Sequence, residues 1–169
     1  MRKKVIATVF LLSILFCFSC SKSPQKETSP FFGKEEAYHI GFKTETTQAK
    51  AKIFFDKQGD FHLLHEDTSS PLFGLEEIFS DDGVKSHFYE LEFTNPLYSG
   101  GTATVYRALG VIQNEEKEGE ETSKGITTYS YKTNQMDVSF VFSENNQMPI
   151  RIFGKDGGME FDINFSTEA

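Results

Sequence analysis

The chain has 169 residues, of which 17 are basic and 25 are acidic, giving a formal net charge of −8 at pH 7. An acidic excess of this size argues against nucleic-acid binding and against attachment to anionic lipid through a polybasic patch. The chain has 18 phenylalanines, two cysteines and no tryptophan. That composition suits a β-sheet with one heavily apolar face and no disulfide framework.

The amino-terminal segment has the order of a secretory signal. Three cationic residues at positions 2–4 precede an apolar run from Val5 to Phe18. This run is shorter than the roughly 20 residues that a membrane-spanning helix needs. A short apolar run after a cationic start predicts a signal peptide over residues 1–19. Its end, Ser19-Cys20, resembles the bacterial lipoprotein signal, in which a small residue precedes the modified cysteine.

The lipoprotein resemblance implies cleavage before Cys20, diacylation of its thiol with chains such as palmitate, and acylation of the new amino terminus. Several acyl chains on one residue give stable membrane anchoring. We therefore expect a lipid-anchored protein on the extracytoplasmic face of the cell membrane. Two alternatives remain, an uncleaved amino-terminal anchor and ordinary secretion with Cys20 as a free thiol.

Processing would leave 150 residues, enough for one domain with a real core. They would carry 14 basic and 25 acidic residues, a net charge of −11, so the lipid rather than the protein surface must hold the domain at the membrane. Residues 20–36 are rich in proline and small polar residues, which predicts an extended tether. The folded domain is expected over residues 37–169.

Apolar residues alternate with polar ones through most of this domain. Tyr38, Ile40 and Phe42 form one such series, and the residues from Met159 to Phe165 form the last. Period-two alternation between short turns predicts antiparallel strands. One strand is expected from Val84 to Phe93, and a solvated acidic loop from Asn114 to Gly125. In all we expect about eight strands.

One helix is predicted between the fifth and sixth strands, from Ala103 to Gln113 with Thr102 as its N-cap. The predicted fold class is therefore mainly β (α+β), with a single antiparallel sheet. A sheet with one apolar face must curl around something that covers it. The covering group is its own side chains, the helix and loops, or a ligand.

Three turns and a closing meander carry a family resemblance. The turns are Lys57-Gln58-Gly59, Pro71 to Leu75 and Ser80 to Gly83, and the meander runs from Met136 to Phe165. This pattern is similar to small clostridial lipoproteins and, through them, to the LolA/LolB superfamily of lipoprotein carriers and receptors. The resemblance implies a curved, unclosed half-barrel with helices over an apolar cavity. The carriers have several helices where this chain shows one, and the resemblance transfers no functional residue.

One set of apolar residues is expected to point inward and could line a cavity for an acyl chain or another apolar ligand. It consists of Phe42, Phe55, Tyr89, Leu91, Phe93, Phe140, Phe142, Phe161, Ile163 and Phe165. The alternative is that the set is simply packed core, in a surface module that binds another envelope protein. Leu72 and Phe73 could form the mouth of a cavity, contact a partner or cap the core.

No catalytic, cofactor-binding or metal-binding motif stands out. A nucleophile elbow and a phosphate loop are absent from the sequence, and lipidation would leave no free cysteine. His62 and His65 are three positions apart on a predicted strand, so they point to opposite faces and cannot chelate one ion. We expect two surface histidines, no metal, no cofactor and no enzymatic activity.

Overall fold

The structure, a computed structural model, describes residues 36–80, 82–95, 100–144 and 148–166. Eleven strands and one helix lie within these ranges. They are β1 (Tyr38–Thr44), β2 (Gln48–Phe55), β3 (Phe61–His65), β4 (Glu76–Ser80), β5 (Gly83–Phe88), β6 (Leu91–Asn95), α1 (Gly101–Asn114), β7 (Gly119–Ser123), β8 (Ile126–Lys132), β9 (Met136–Ser143), β10 (Pro149–Asp156) and β11 (Met159–Ser166).

All the strands belong to one antiparallel sheet with the order β6-β5-β4-β3-β2-β1-β11-β10-β9-β8-β7. The chain starts in the middle of the sheet and meanders to the β6 edge. After α1 it resumes at the β7 edge and meanders back until β11 pairs with β1. Among the described strands β6 and β7 have no pairing with each other, so the sheet is not closed. The prediction of a single unclosed antiparallel sheet with one helix is confirmed.

The helix packs on one face of the sheet, which we call the inner face. Tyr106 stacks on Phe79 of β4 with ring centroids 5.1 Å apart, and Arg107 donates from Nε to Asp156 Oδ2 of β10 at 3.0 Å. In the sheet β4 and β10 are five strand positions apart, which is about 24 Å in a flat sheet. Two adjacent helix residues contact both strands, so the sheet curves around the helix.

The core lies between α1 and the inner face. Ala103, Val105, Ala108 and Leu109 of the helix are almost fully buried against rings such as Phe61 of β3. The helix is held at its second turn by Asp156, which accepts hydrogen bonds from Thr104 Oγ1 at 2.8 Å and from Arg107. Apolar packing and one buried polar cluster together fix the helix on the sheet.

The helix boundary differs from the prediction at its start. The N-cap is Gly100, which makes no side-chain capping bond. Thr102, the predicted cap, instead donates a hydrogen bond to Glu77 of β4 at 3.2 Å. A tertiary contact therefore takes the hydroxyl that the local sequence assigns to capping.

The prediction of about eight strands is wrong, and the first reason is a turn inside the expected Val84–Phe93 strand. Tyr89 has a φ of 55°, in the left-handed region that non-glycine residues seldom adopt. The chain reverses there, so Phe88 lies opposite Leu91 and a separate strand β6 begins. Neither Tyr89 nor Glu90 is a usual turn residue, so the sequence carried no turn signal.

The second reason is β7, which lies within the segment predicted as an acidic loop. Its residues Gly119–Ser123 pair with β8 across a turn at Lys124-Gly125. Four of its five residues are exposed. A strand at a sheet edge with both faces in water lacks the apolar alternation by which strands are recognised.

The predicted signal peptide, Cys20 and the tether up to residue 35 lie outside the described residues, so these assignments stay predictions. Within the described ranges, the structure contains no helix with the length and apolar character required to cross a membrane.

Candidate ligand-binding face

The strand register shows which residues share the inner face beyond the helix. Phe79, which stacks on the helix, lies opposite Val84 of β5. Two residues further along β4, Glu77 lies opposite Ser86, and Ser86 lies opposite Phe93 of β6. Directly opposed residues in an antiparallel pair project from the same face. Phe93 and Leu91 are therefore on the inner face, as the alternation predicted.

Burial falls sharply along this face towards β6. Phe79 is 1% exposed and Val84 is 5% exposed, whereas Phe93 is 56% and Leu91 is 58% exposed. The covered part of the inner face therefore ends within β5, after Val84. The inner-face residues beyond Val84, which we call the open patch, are the half-buried Ser86 and Phe88 and the exposed Leu91 and Phe93.

A polar cluster lies where the covered core meets the open patch. His65 Nε2 is 3.2 Å from Glu77 Oε2, and Glu77 Oε1 accepts from Thr102 of the helix. His65 is only 2% exposed, and its Nδ1 atom has no hydrogen-bond partner. Since Glu77 lies directly opposite Ser86, the open patch has hydrogen-bonding groups along its inner margin.

The β3–β4 loop lies at the same end of the sheet as the turn at Tyr89. Glu76, the first residue of β4, is opposite His87, so the loop that precedes it is close to the β5–β6 turn. Leu72 and Phe73 in this loop are 40% and 45% exposed. Backbone hydrogen bonds brace the loop, from Phe73 N to Ser70 O at 3.1 Å and from Gly74 N to His65 O at 2.9 Å. Two exposed apolar side chains therefore lie near the β5–β6 turn, which borders the open patch.

At the β7 edge, polar contacts occupy the inner face of the sheet. Lys117, which follows the helix, lies 4.6 Å above the ring of Tyr129 and forms an ion pair with Glu120 of β7. The hydrogen bond that Lys117 donates to the Glu120 carboxylate raises the pKa of Lys117 above its usual value. Thr122 of β7 and Thr127 of β8 share a hydroxyl hydrogen bond at 3.0 Å. Near β7 the sheet therefore presents ion pairs and hydroxyls rather than exposed rings.

The ten residues of the predicted inward set fall into four groups. Phe42, Phe140, Phe142, Phe161 and Ile163 are buried in the core, and Phe55 and Phe165 are partly buried against it. Leu91 and Phe93 are on the inner face but exposed. Tyr89 is 82% exposed in the turn, so the expectation that it points inward from a strand is wrong. That the set lines a cavity remains a prediction.

A small pocket opens beside the start of the helix. Its volume is about 40 Å³, and it is lined by residues such as Thr44, Gly101, Thr104 and Phe161. This is room for a few water molecules, since one water needs about 10–15 Å³ by this measure. An acyl chain does not fit in this pocket, so the open patch is the better candidate for an apolar ligand.

The two histidines of β3 point to opposite faces, as predicted. His62 stacks on Phe54 of the outer face at 4.5 Å and lies 2.8 Å from Glu76 Oε1. The expectation that both histidines are at the surface is wrong, because His65 is buried beneath the helix side of the sheet. Within the ranges that the structure describes, no three histidine, cysteine or acidic side chains meet as a metal site requires.

No protein-family model matches the chain, and no curated protein is significantly similar to it in sequence.

Several solved structures are similar in shape. A LolA-superfamily protein from Nitrosomonas europaea has 9% identity and a TM-score of 0.45, over 82% of this chain and 87% of that one. The lipoprotein LppX from Mycobacterium tuberculosis has 12% identity and a TM-score of 0.37, over 77% and 84%. LprF from Mycobacterium bovis has 11% identity and a TM-score of 0.36, over 78% and 84%. These identities and TM-scores are too low to transfer a residue's role to this chain.

Proposed function

We propose that this chain is an envelope lipoprotein that binds an apolar or lipidic ligand, without catalysis, on the open patch. The main observation in support is that the apolar inner face continues from the buried pair Phe79 and Val84 to the exposed residues Leu91 and Phe93. Ligand sites are typically concave, mostly apolar and equipped with a few polar groups. Glu77, Ser86 and the buried His65 supply such groups at the margin of the patch.

Burying the exposed side chains provides the driving force for this binding. Removing apolar surface from water contributes about 25 cal/mol per Å², and the patch presents two large side chains that are more than half exposed. Leu72 and Phe73, at the same end of the sheet, would extend the contact along a ligand chain. Exposed apolar clusters of this kind typically mark ligand or partner sites.

Native mass spectrometry of the domain starting at Glu27 tests ligand binding, since this form lacks the predicted lipid. We expect a co-purified apolar molecule, and saturable binding of an added fatty acid. The variant Leu91→Ser/Phe93→Ser should lose most of this binding. The matched control is Ile126→Ser, which removes an apolar side chain, 36% exposed, that directly follows the turn of the other edge hairpin. Absence of co-purified lipid, with dye binding no stronger than that of a compact control protein, would contradict the proposal.

Membrane anchoring through Cys20 is the second part of the proposal. Cells that express the full chain and are fed an alkyne-tagged palmitate should label its mature form, and Cys20→Ser should lose both the label and the mature form. Cys17→Ser is the control and should keep both. Labelling that survives in Cys20→Ser would contradict anchoring at this residue.

An alternative is a surface module that binds another envelope protein. Its specific support is that five residues of the inward set, including Phe42 and Ile163, are buried in the hydrophobic core. A pull-down with charge-reversed outer-face residues would distinguish the two functions. Loss of a partner with unchanged lipid binding would favour the interaction module.

A further inference from the structure

The free edge of β6 exposes backbone groups in a regular pattern. Phe88 and Leu91 close a two-residue turn, so they form a hydrogen-bonded pair. Bonded pairs alternate along a hairpin, and therefore Leu91 and Phe93 bond to β5 while the backbone groups of Glu92 and Thr94 point away from it. All five residues of β6 are exposed, and β6 ends the sheet among the described strands.

We propose that β6 is a self-association edge, on which β6 of a second copy pairs in antiparallel orientation about a two-fold axis at Phe93. In this register Glu92 exchanges both backbone hydrogen bonds with Thr94 of the second copy, and Thr94 does the same with Glu92 of the second copy. Phe93 then faces its own counterpart in a non-hydrogen-bonded pair, where side chains approach most closely. The two inner faces join into one continuous surface.

The charges of β6 permit this register. Its one charged residue, Glu92, would face a threonine, so no like charges oppose each other across the new pair. The Glu92 carboxylate already lies 3.6 Å from His87 of its own hairpin. Aromatic pairs across strands are favourable, so the centre of the register is attractive.

The β7 edge has the same geometry and the opposite chemistry. Its closing pair, Ser123 and Ile126, likewise follows from a two-residue turn, so the backbone groups of Glu120 and Thr122 point outward. The two-fold register of β7 would be centred on Glu121 and would place this carboxylate against its own copy. Like charges directly opposite each other destabilise a strand pair. Self-pairing is therefore favoured at one edge and opposed at the other.

The interface is small, which determines how it must be measured. A five-residue strand pair buries less surface than the roughly 1,200–2,000 Å² of stable interfaces. The complex is therefore weak and reversible in dilute solution. A disulfide formed at the two-fold axis would capture the dimer even if each non-covalent complex is short-lived.

The test uses the full chain in its own membrane with Phe93→Cys. The α-carbons of a non-hydrogen-bonded pair are about 4.5 Å apart, within the disulfide range of about 4.4–6.8 Å. Mild oxidation should give a dimer of twice the chain mass, at least several-fold more than in the matched variant Glu121→Cys. Both variants encode Cys17 and Cys20 and undergo the same processing there, so any background linkage through these residues is equal.

Proline substitution separates edge pairing from the apolar patch. Thr94→Pro removes an outward N–H that β5 does not use, and proline is tolerated at such edge positions. In the Phe93→Cys background it should abolish most of the dimer, whereas Thr122→Pro on the β7 edge should leave it unchanged. Because Leu91 stays in place and position 93 is the same in both, this comparison does not depend on ligand binding.

Three results would overturn the proposal. One is equal crosslinking of Phe93→Cys and Glu121→Cys. Another is a crosslinked product whose mass, measured by mass spectrometry, includes a different protein. The third is a dimer that persists in Thr94→Pro as strongly as in Thr122→Pro.

Discussion

The two edges of the sheet are built alike but have different side chains at their centres. Each edge strand has five residues and belongs to a hairpin with a two-residue turn. The β6 strand reads Leu-Glu-Phe-Thr-Asn and the β7 strand reads Gly-Glu-Glu-Thr-Ser. The glutamate and threonine positions coincide, and the central residue changes from Phe93 to Glu121.

This difference concerns which edge of the sheet can pair with another chain. Charged side chains on an edge strand prevent pairing with other chains, and exposed apolar ones permit it. The β7 edge carries two adjacent glutamates, and an ion pair between Lys117 and Glu120 covers its inner side. The β6 edge leaves Leu91 and Phe93 exposed beside the core. The asymmetry therefore supports the proposal that ligand and partner contacts lie on the β6 side.

The largest expected effect is a difference in the free energy of unfolding between two substitutions on the inner face, one of a buried aromatic ring and one of an exposed aromatic ring. Phe79→Ala should lower the free energy of unfolding by about 3–5 kcal/mol, because it empties a site packed against Tyr106 and Phe61. Phe93→Ala should cost less than about 1 kcal/mol, since that ring is 56% exposed. Urea denaturation measures both. Similar losses would show that Phe93 is part of the core.

A smaller effect is expected at the polar cluster that holds the helix on the β7 side of the sheet. Asp156→Ala removes the acceptor used by Thr104 and Arg107 and should cost about 2–3 kcal/mol. The control is Asp162→Ala, which breaks the more exposed pair with Arg151 and should cost less than about 1 kcal/mol. Equal costs in urea denaturation would contradict the structural role of the buried cluster.

The ion pair on the inner side of β7 should show a pH dependence. Glu120 raises the pKa of Lys117 in the folded state, so its contribution is complete below the ordinary lysine value of 10.5 and is lost as pH rises through the raised pKa. Lys117→Gln should therefore be less stable than the parent at neutral pH. Denaturation from pH 8 to 12 should show this difference shrinking at the alkaline end. A difference that stays constant with pH would mean that the charge of Lys117 contributes nothing.

The regular parts of the sheet could be predicted from the sequence because their periodicity carries the information. The alternation from Met159 to Phe165 and that from Met136 to Ser143 correspond to β11 and β9. Each of these strands faces the core on one side, so burial imposes the pattern. The predicted helix is also present, longer than expected by two residues at its start and one at its end.

Both edge strands were missed for physical reasons. Periodicity reports burial on one face, and β7 has water on both, so its polar residues looked like a loop. Before β6, the alternation of Tyr89, Leu91 and Phe93 looked like part of one long strand, because the turn that separates β5 from β6 has no glycine. The candidate site could not be located because the covering of an inward residue depends on where α1 lies. Local sequence does not encode that position.

The smallest expected effect concerns the turns of the two edge hairpins. One turn precedes β6 and the other follows β7. Tyr89 and Lys124 both occupy the left-handed region, with φ values of 55° and 51°. Glycine removes the roughly 1–2 kcal/mol cost of this conformation but adds about 0.5–1 kcal/mol of unfolded-state entropy. Lys124→Gly should therefore raise the free energy of unfolding by about 0.5 kcal/mol.

Tyr89→Gly should gain less than Lys124→Gly, because it also loses the edge contact between Tyr89 and Phe88 at 4.7 Å. Urea denaturation of both variants and of the double variant measures this difference, and the two effects should add because the turns lie at opposite ends of the sheet. A loss above about 1 kcal/mol in Tyr89→Gly alone would show that its ring stabilises the β6 hairpin. The contrast between the two edges would then extend to their turns.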